Sequence, residues 1–261
     1  MRIALGIEYD GSGYSGFQIQ PGLDTIQGRL ERALSEIADE EVTLQCAGRT
    51  DAGVNATGQV IHFDVSHERS DRAWILGTNT RLPPDIAVTW SKHVSEDFHA
   101  RFSARARRYR YILQNTLHRP GLFACGVSLY HGDFDTQRMQ QAAALLKGEH
   151  DFSSFKAADD QSRSPCRCVH FIEISRRGPF IIFDIAANAF LNHMVRNIVG
   201  SLLPVGSGEK SLKWFRDVFE ARDRRAAGPT ARPGGLYLVS VTYPAAFGLP
   251  QREFLGPLWL P

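Results

Sequence analysis

The feature that most constrains the fold is an order of elements that runs twice. Residues 2–9 alternate, with Ile3, Leu5, Ile7 and Tyr9 on one face, and read as a half-buried strand. An amphipathic helix follows, with Ile26, Leu30, Ala33, Leu34 and Ile37 on one stripe and Asp24-Thr25-Ile26-Gln27 resembling a capping box at its start. Strands are expected over 42–46 and 59–65, a weaker helix over 71–79 that ends before Pro83-Pro84, and a strand over 86–94. That is βαββαβ. Residues 107–243 give the same order: a strand over 107–113, a helix over 135–147, a hairpin of 168–176 and 180–187 through Arg177-Gly178-Pro179, a helix over 191–203, and a closing strand over 236–243. One extra helix, over 212–221, lies before that strand. This is the ferredoxin-like order, shared by RNA-recognition modules. The expected protein is therefore α+β, with two such halves, residues 1–103 and 104–261, joined into a largely antiparallel sheet. Helices pack on the sheet, and a cleft between the halves is the natural place for a ligand. The tail after Pro244 is expected to be ordered only in part.

Composition narrows the function classes. At 261 residues, 43% hydrophobic and 22% charged, the chain can bury substantial cores, and its net charge of +2 permits a nucleic-acid partner without announcing one. No apolar run reaches membrane-spanning length and no signal peptide is visible, so a cytoplasmic protein with no membrane role is expected. Cysteines 46, 125, 166 and 168 form no disulfide framework, and Cys166-Arg167-Cys168 is too tight for a usual zinc pair, so no metal is expected. The Asp10–Gly16 turn lacks both nucleotide-loop spacings.

Between the strands expected over 42–46 and 59–65 stands Gly48-Arg49-Thr50-Asp51-Ala52-Gly53-Val54-Asn55-Ala56-Thr57-Gly58-Gln59-Val60. A hairpin needs only a few residues here. The surplus carries one carboxylate, Asp51, with a cation at Arg49. Gly48, Gly53 and Gly58 permit positive φ or close approach of another molecule. An ordinary turn-capping Asp is the alternative.

Arg101, Arg105, Arg107, Arg108 and Arg110 run without an acid among them, interleaved with Tyr109 and Tyr111, a mixture that suits phosphates and unpaired bases. The alternative is a strand with arginines on its wet face. Arg163, Arg167, Arg222, Arg224 and Arg225 can extend a basic surface. In the helix over 191–203, Arg196 interrupts an apolar face and needs a partner, for which Asp51 is a candidate; snorkelling to solvent or pairing with another acid is the alternative. His193 has no metal-like companions and reads as a packing residue.

Three motifs, Gly48-Arg-Thr-Asp-Ala-Gly-Val, Tyr109-Arg-Tyr and Asn192-His-Met-Val-Arg-Asn-Ile-Val-Gly200, resemble the tRNA pseudouridine synthase A family, and the likeness runs from Tyr9-Asp-Gly to Gly235-Leu-Tyr-Leu. The resemblance implies the pseudouridine synthase fold and isomerisation of uridine to pseudouridine at positions 38, 39 and 40 of the tRNA anticodon stem-loop. It implies a homodimer, Asp51 as catalytic carboxylate, and substrate contacts from Tyr109, Arg49 and Arg196. Asn55 stands where the family usually has His. The reaction breaks the N1–C1′ bond, turns the uracil and rejoins it through C5, so nothing is gained or lost and no cofactor is required. Two other readings stay open at this point. One is a non-catalytic RNA-binding module of duplicated type; the other is a glycoside hydrolase, disfavoured because no second acid stands near Asp51 in the sequence.

Overall fold

The computed structural model describes residues 1–121 and 123–250. The chain forms two compact units, one comprising Met1–Arg105 with the chain from Tyr237 onward, the other Ala106–Leu236.

In the first unit, β1 (Arg2–Tyr9) is an interior strand and is buried on both faces rather than one. Its packing is close: a Cβ on Gly6 would lie 2.0 Å from the Trp90 indole nitrogen. Helix α1 (Ile26–Ala38) buries Ile26, Leu30, Ala33, Leu34 and Ala38, as its apolar spacing requires. Its cap differs from the expected box. Thr25 is the N-cap and accepts from the Gly28 N–H, while Asp24 pairs with Arg29 at 2.6 Å. Gln27 does not reach back to the cap but donates to Glu31 at 2.8 Å.

Strand β2 is short (Gln45–Cys46), and β3 (Asn55–Asp64) starts earlier than the apolar pattern indicated. The segment read as a loop over 48–60 is therefore half strand. The 71–79 helix is a π-helical turn over Ala73–Gly77 continued by α2 (Thr78–Arg81), with Trp74 fully buried against Phe63 at 5.2 Å between ring centres. Strand β4 (Ile86–Val94) follows. Both β3 and β4 run antiparallel to β1.

In the second unit, β5 (Ala106–Asn115) carries the Tyr-Arg-Tyr motif. After it comes β6 (Ser128–Tyr130), parallel to β5. Helix α3 (Thr136–Ala143) is capped by Asp135, whose carboxylate accepts from the N–H groups of Gln137 and Arg138. After β7 (Gly148–Asp151), β8 (Cys166–Arg177) and β9 (Phe180–Ala187) form the expected hairpin, with Gly178 supplying positive φ at its turn. The antiparallel order is β5-β9-β8-β7.

Helix α4 (Met194–Gly206) begins later than its apolar pattern because His193 takes left-handed backbone, φ 60°, and the Asn192 N–H is engaged by the Asp160 carboxylate. The segment over 226–235 crosses α4 at van der Waals distance. A Cβ on Gly200 would lie 1.7 Å from the Pro229 carbonyl oxygen, and the Gly228 N–H donates to Ser201 at 3.0 Å. Helix α5 (Leu212–Ala221) packs on α3 and α4.

The last strand, β10 (Leu236–Thr242), pairs in parallel with β3 of the first unit, Tyr237 opposite Asn55 and Leu238 opposite Ala56. This pairing is what extends β3. Gly58 belongs to the strand because a Cβ there would lie 2.2 Å from the Val239 carbonyl oxygen. Beyond it, Phe247 packs on Phe98 at 5.2 Å. Of the tail expected to be partly ordered, residues 251–261 lie outside the described residues. Among the described residues no helix is long and apolar enough to cross a membrane.

Candidate active site

Asp51 lies in the segment over 47–54 that joins β2 to β3, and the backbone around it is held at both shoulders. On one side, Gln59, fully buried in β3, donates from Nε2 to the Gly48 carbonyl at 2.6 Å. Beside Asp51, the Tyr9 phenol and the Thr50 hydroxyl share a buried hydrogen bond of 2.7 Å, and the Phe17 N–H donates to the Thr50 carbonyl at 2.9 Å. On the other side, the Val54 N–H donates to the Asp51 carbonyl at 3.1 Å, across a turn in which Gly53 has φ 77°. Asn55 then accepts the Gly11 N–H at 2.8 Å.

Gly11 and Gly16 of the 10–16 turn serve this segment. A Cβ on Gly11 would lie 2.0 Å from the Val54 carbonyl oxygen, and one on Gly16 would lie 3.0 Å from that of Thr50. The turn is thus a cradle for the Asp51 segment. Thr50 is buried, Asp51 half-buried and Arg49 exposed. Burial pushes the Cys46 thiol up to about 11, against the opposing charges of Arg49 and Arg101, so it is protonated at neutral pH and is a poor nucleophile.

In the second unit, Tyr109 is nearly buried on β5, its ring edge-on to Phe190 at 5.0 Å. The neighbouring arginines are not a wet face of free cations. Arg108 makes a two-pronged pair with Asp184, 2.7 Å at each contact, and Arg110 reaches the same carboxylate at 2.8 Å. Arg110 is only 4% exposed. The hydrogen bond to Asp184 raises the Arg108 guanidinium further above its ordinary value. Arg196, half-buried on α4, donates from Nε to the Ala231 carbonyl at 2.9 Å and so fastens the 226–235 segment to the helix.

The wider basic surface is engaged within the fold only in part, since Arg222 and Arg225 stay exposed. Arg224 donates to the carbonyl of Gly228, to Asn197 and to Thr230, and Arg225 pairs with Asp223 at 2.7 Å. Arg167 bonds to the backbone of its own turn. Arg101, Arg105 and Arg163 are exposed. Among the described residues no group of three or more His, Cys, Asp or Glu side chains could hold a metal ion.

A family model described as tRNA pseudouridine synthase matches residues 6–103 and 142–244. The chain belongs to the tRNA pseudouridine synthase family. It is 60% identical over its whole length to tRNA pseudouridine synthase A of Aeromonas hydrophila, covering 97% of that protein. It is 58% identical to the Shewanella amazonensis protein of the same name, with each chain covered completely. It is thus an isomerase of uridine in tRNA, and the non-catalytic alternative is not favoured.

Within that family setting, Arg49 and Asp51 stand on one segment of the first unit, and Tyr109 and Arg196 on β5 and α4 of the second. Sequence reasoning missed Tyr9, Thr50 and Gln59, which hold the Asp51 segment, and Asp184, which takes up Arg108 and Arg110. Asp184 carried a signal: it is a lone acid inside the apolar run Phe180-Ile-Ile-Phe-Asp-Ile-Ala-Ala187, a place that demands a cationic partner. Gln59 carried a similar one, as an amide just before Val60-Ile61-His62-Phe63.

Proposed function

We propose that this protein converts uridine to pseudouridine at positions 38, 39 and 40 of the tRNA anticodon stem-loop, with Asp51 as the catalytic carboxylate. The observation that carries this reading is the Asp51 segment, a carboxylate whose chain is fixed by hydrogen bonds at Gly48 and Thr50 before it and at Asn55 after it, while Arg49 is left exposed. A module that only binds RNA has no use for such an arrangement.

The residues divide the work by their chemistry. The target nucleotide leaves the stem, at a few kcal/mol, because its reacting atoms are inaccessible when stacked and paired. Arg49 takes the space it vacates or holds its phosphate. Tyr109 packs on the uracil, and its phenol serves the late loss of the C5 proton. Ionised Asp51 attacks C1′, attacks C6, or takes the C2′ proton. In each case the base is released from the sugar without water, turns, and reattaches through C5. Arg196 binds substrate from α4. The protein acts in the cytoplasm as a homodimer.

Mapping pseudouridine in tRNA transcripts after incubation tests the site preference. Conversion at 38, 39 and 40, with neighbouring uridines unmodified, is expected. Modification confined to another arm of the tRNA overturns that preference. Sedimentation of the purified protein at twice the monomer mass is expected; a monomer contradicts the dimer.

A further inference from the structure

We infer that Tyr9, Gln59 and Thr50 form a positioning device for the catalytic segment; this rests on the reading of Asp51 as the catalytic carboxylate. Three observations carry it. First, Gln59 is fully buried in its strand, and its amide is committed to the backbone of Gly48 and Val60 and to the Tyr9 oxygen. Nε2 donates to the Gly48 carbonyl at 2.6 Å and lies 3.5 Å from the Tyr9 oxygen, while Oε1 accepts from the N–H groups of Gly48 at 3.4 Å and Val60 at 3.3 Å. That uses both amide hydrogens and both oxygen lone pairs. Second, Tyr9 continues the chain of bonds to the Thr50 hydroxyl at 2.7 Å. Third, the two fixed residues, Gly48 and Thr50, bracket Arg49, and Thr50 immediately precedes Asp51. One buried network therefore sets the backbone on both sides of the exposed arginine and next to the carboxylate.

None of the three side chains is required to touch RNA. Their effect passes through the direction of Asp51, so it belongs in kcat and not in tRNA affinity. The test compares purified, folded Tyr9→Phe, Thr50→Val, Thr50→Ser and the Tyr9→Phe/Thr50→Val double variant in single-substrate kinetics on one tRNA. Misplacement of a reacting group by ~1 Å costs up to about 100-fold in rate, so Tyr9→Phe and Thr50→Val are expected to lose roughly 10- to 100-fold in kcat with KM within about twofold. Thr50→Ser, which keeps the hydroxyl, is expected to retain kcat within about threefold. Because Tyr9 acts through Thr50, the double variant is expected to be no slower than the slower single one.

Wild-type kcat in Thr50→Val, losses confined to KM, or losses that multiply in the double variant would each overturn the inference. Asp51→Asn in the same series separates the two claims. If it turns over, the catalytic assignment falls and the device falls with it. If it is inactive while Tyr9→Phe and Thr50→Val run at the wild-type rate, only the device falls.

Discussion

Arg108, Arg110 and Asp184 show how a side chain's neighbours decide its role. From sequence the arginines suit either phosphates or the wet face of a strand; in the fold they share one carboxylate on the adjacent strand, with Arg110 directly opposite Asp184 in register. Asp184→Asn removes the negative charge from beside a buried guanidinium. It is expected to destabilise the protein by about 3 kcal/mol in urea titrations. A change below ~1 kcal/mol would return Arg110 to the RNA-binding account. His62 gives a second residue-level prediction. Its buried Nδ1 accepts the Ala100 N–H at 3.1 Å, and burial, with His99 and Arg2 nearby, lowers it from 6.5 to about 4. The folded state thus binds this proton less readily than the unfolded chain. The stability it contributes is fully present above pH 6.5 and is lost as the pH falls towards 4, with a slope of at most ~1.4 kcal/mol per pH unit. Urea midpoints at pH 7 and pH 4.5 check this, and the slope is expected to flatten in His62→Gln. An identical slope in that variant refutes the assignment to His62.

At the scale of elements, the periodic segments were legible and the partners from distant sequence were not. The stripe on α1 and the continuous apolar run of β9 follow from local sequence. The start of β3 does not, because the bonds that make Asn55 and Ala56 strand come from Tyr237 and Leu238. Gly58 looked like a loop glycine for the same reason, although its real constraint is the Val239 carbonyl. Gly58→Ala is expected to cost about 1–3 kcal/mol by overpacking, while Gly13→Ala, with open space around its Cβ position, is expected to be near neutral. Comparable thermal midpoints for the two would contradict the close approach. The cap on α1 was misread by one position: Thr25→Ala is expected to cost about 1 kcal/mol and Asp24→Ala roughly half that or less, since its ion pair with Arg29 is exposed. The reverse ranking would restore Asp24 as the cap. Of the candidate site, Asp51 and its motif could be read from the chain, whereas the Tyr9–Thr50 bond joins residues 41 positions apart and left no local pattern.

For the molecule as a whole, a net charge of +2 leaves RNA affinity to local groups, and with Arg108, Arg110 and Arg224 engaged within the fold, exposed cations such as Arg49, Arg101, Arg105, Arg163 and Arg225 are the ones expected to meet phosphates. A filter-binding series in salt is expected to show log K falling linearly with log salt, and the slope is expected to shrink by about one unit when Arg101 is replaced by Gln. An unchanged slope removes Arg101 from the interface. Catalysis makes a sharper demand than binding, because isomerisation of uridine to pseudouridine exchanges the C5 hydrogen with water. The most direct measurement is release of tritium from [5-³H]uridine-labelled tRNA by the wild-type protein and by Asp51→Asn. The account predicts release to water by the wild type, with no free uracil, and none above background by Asp51→Asn despite tRNA binding of wild-type strength. Sustained release by Asp51→Asn would contradict it.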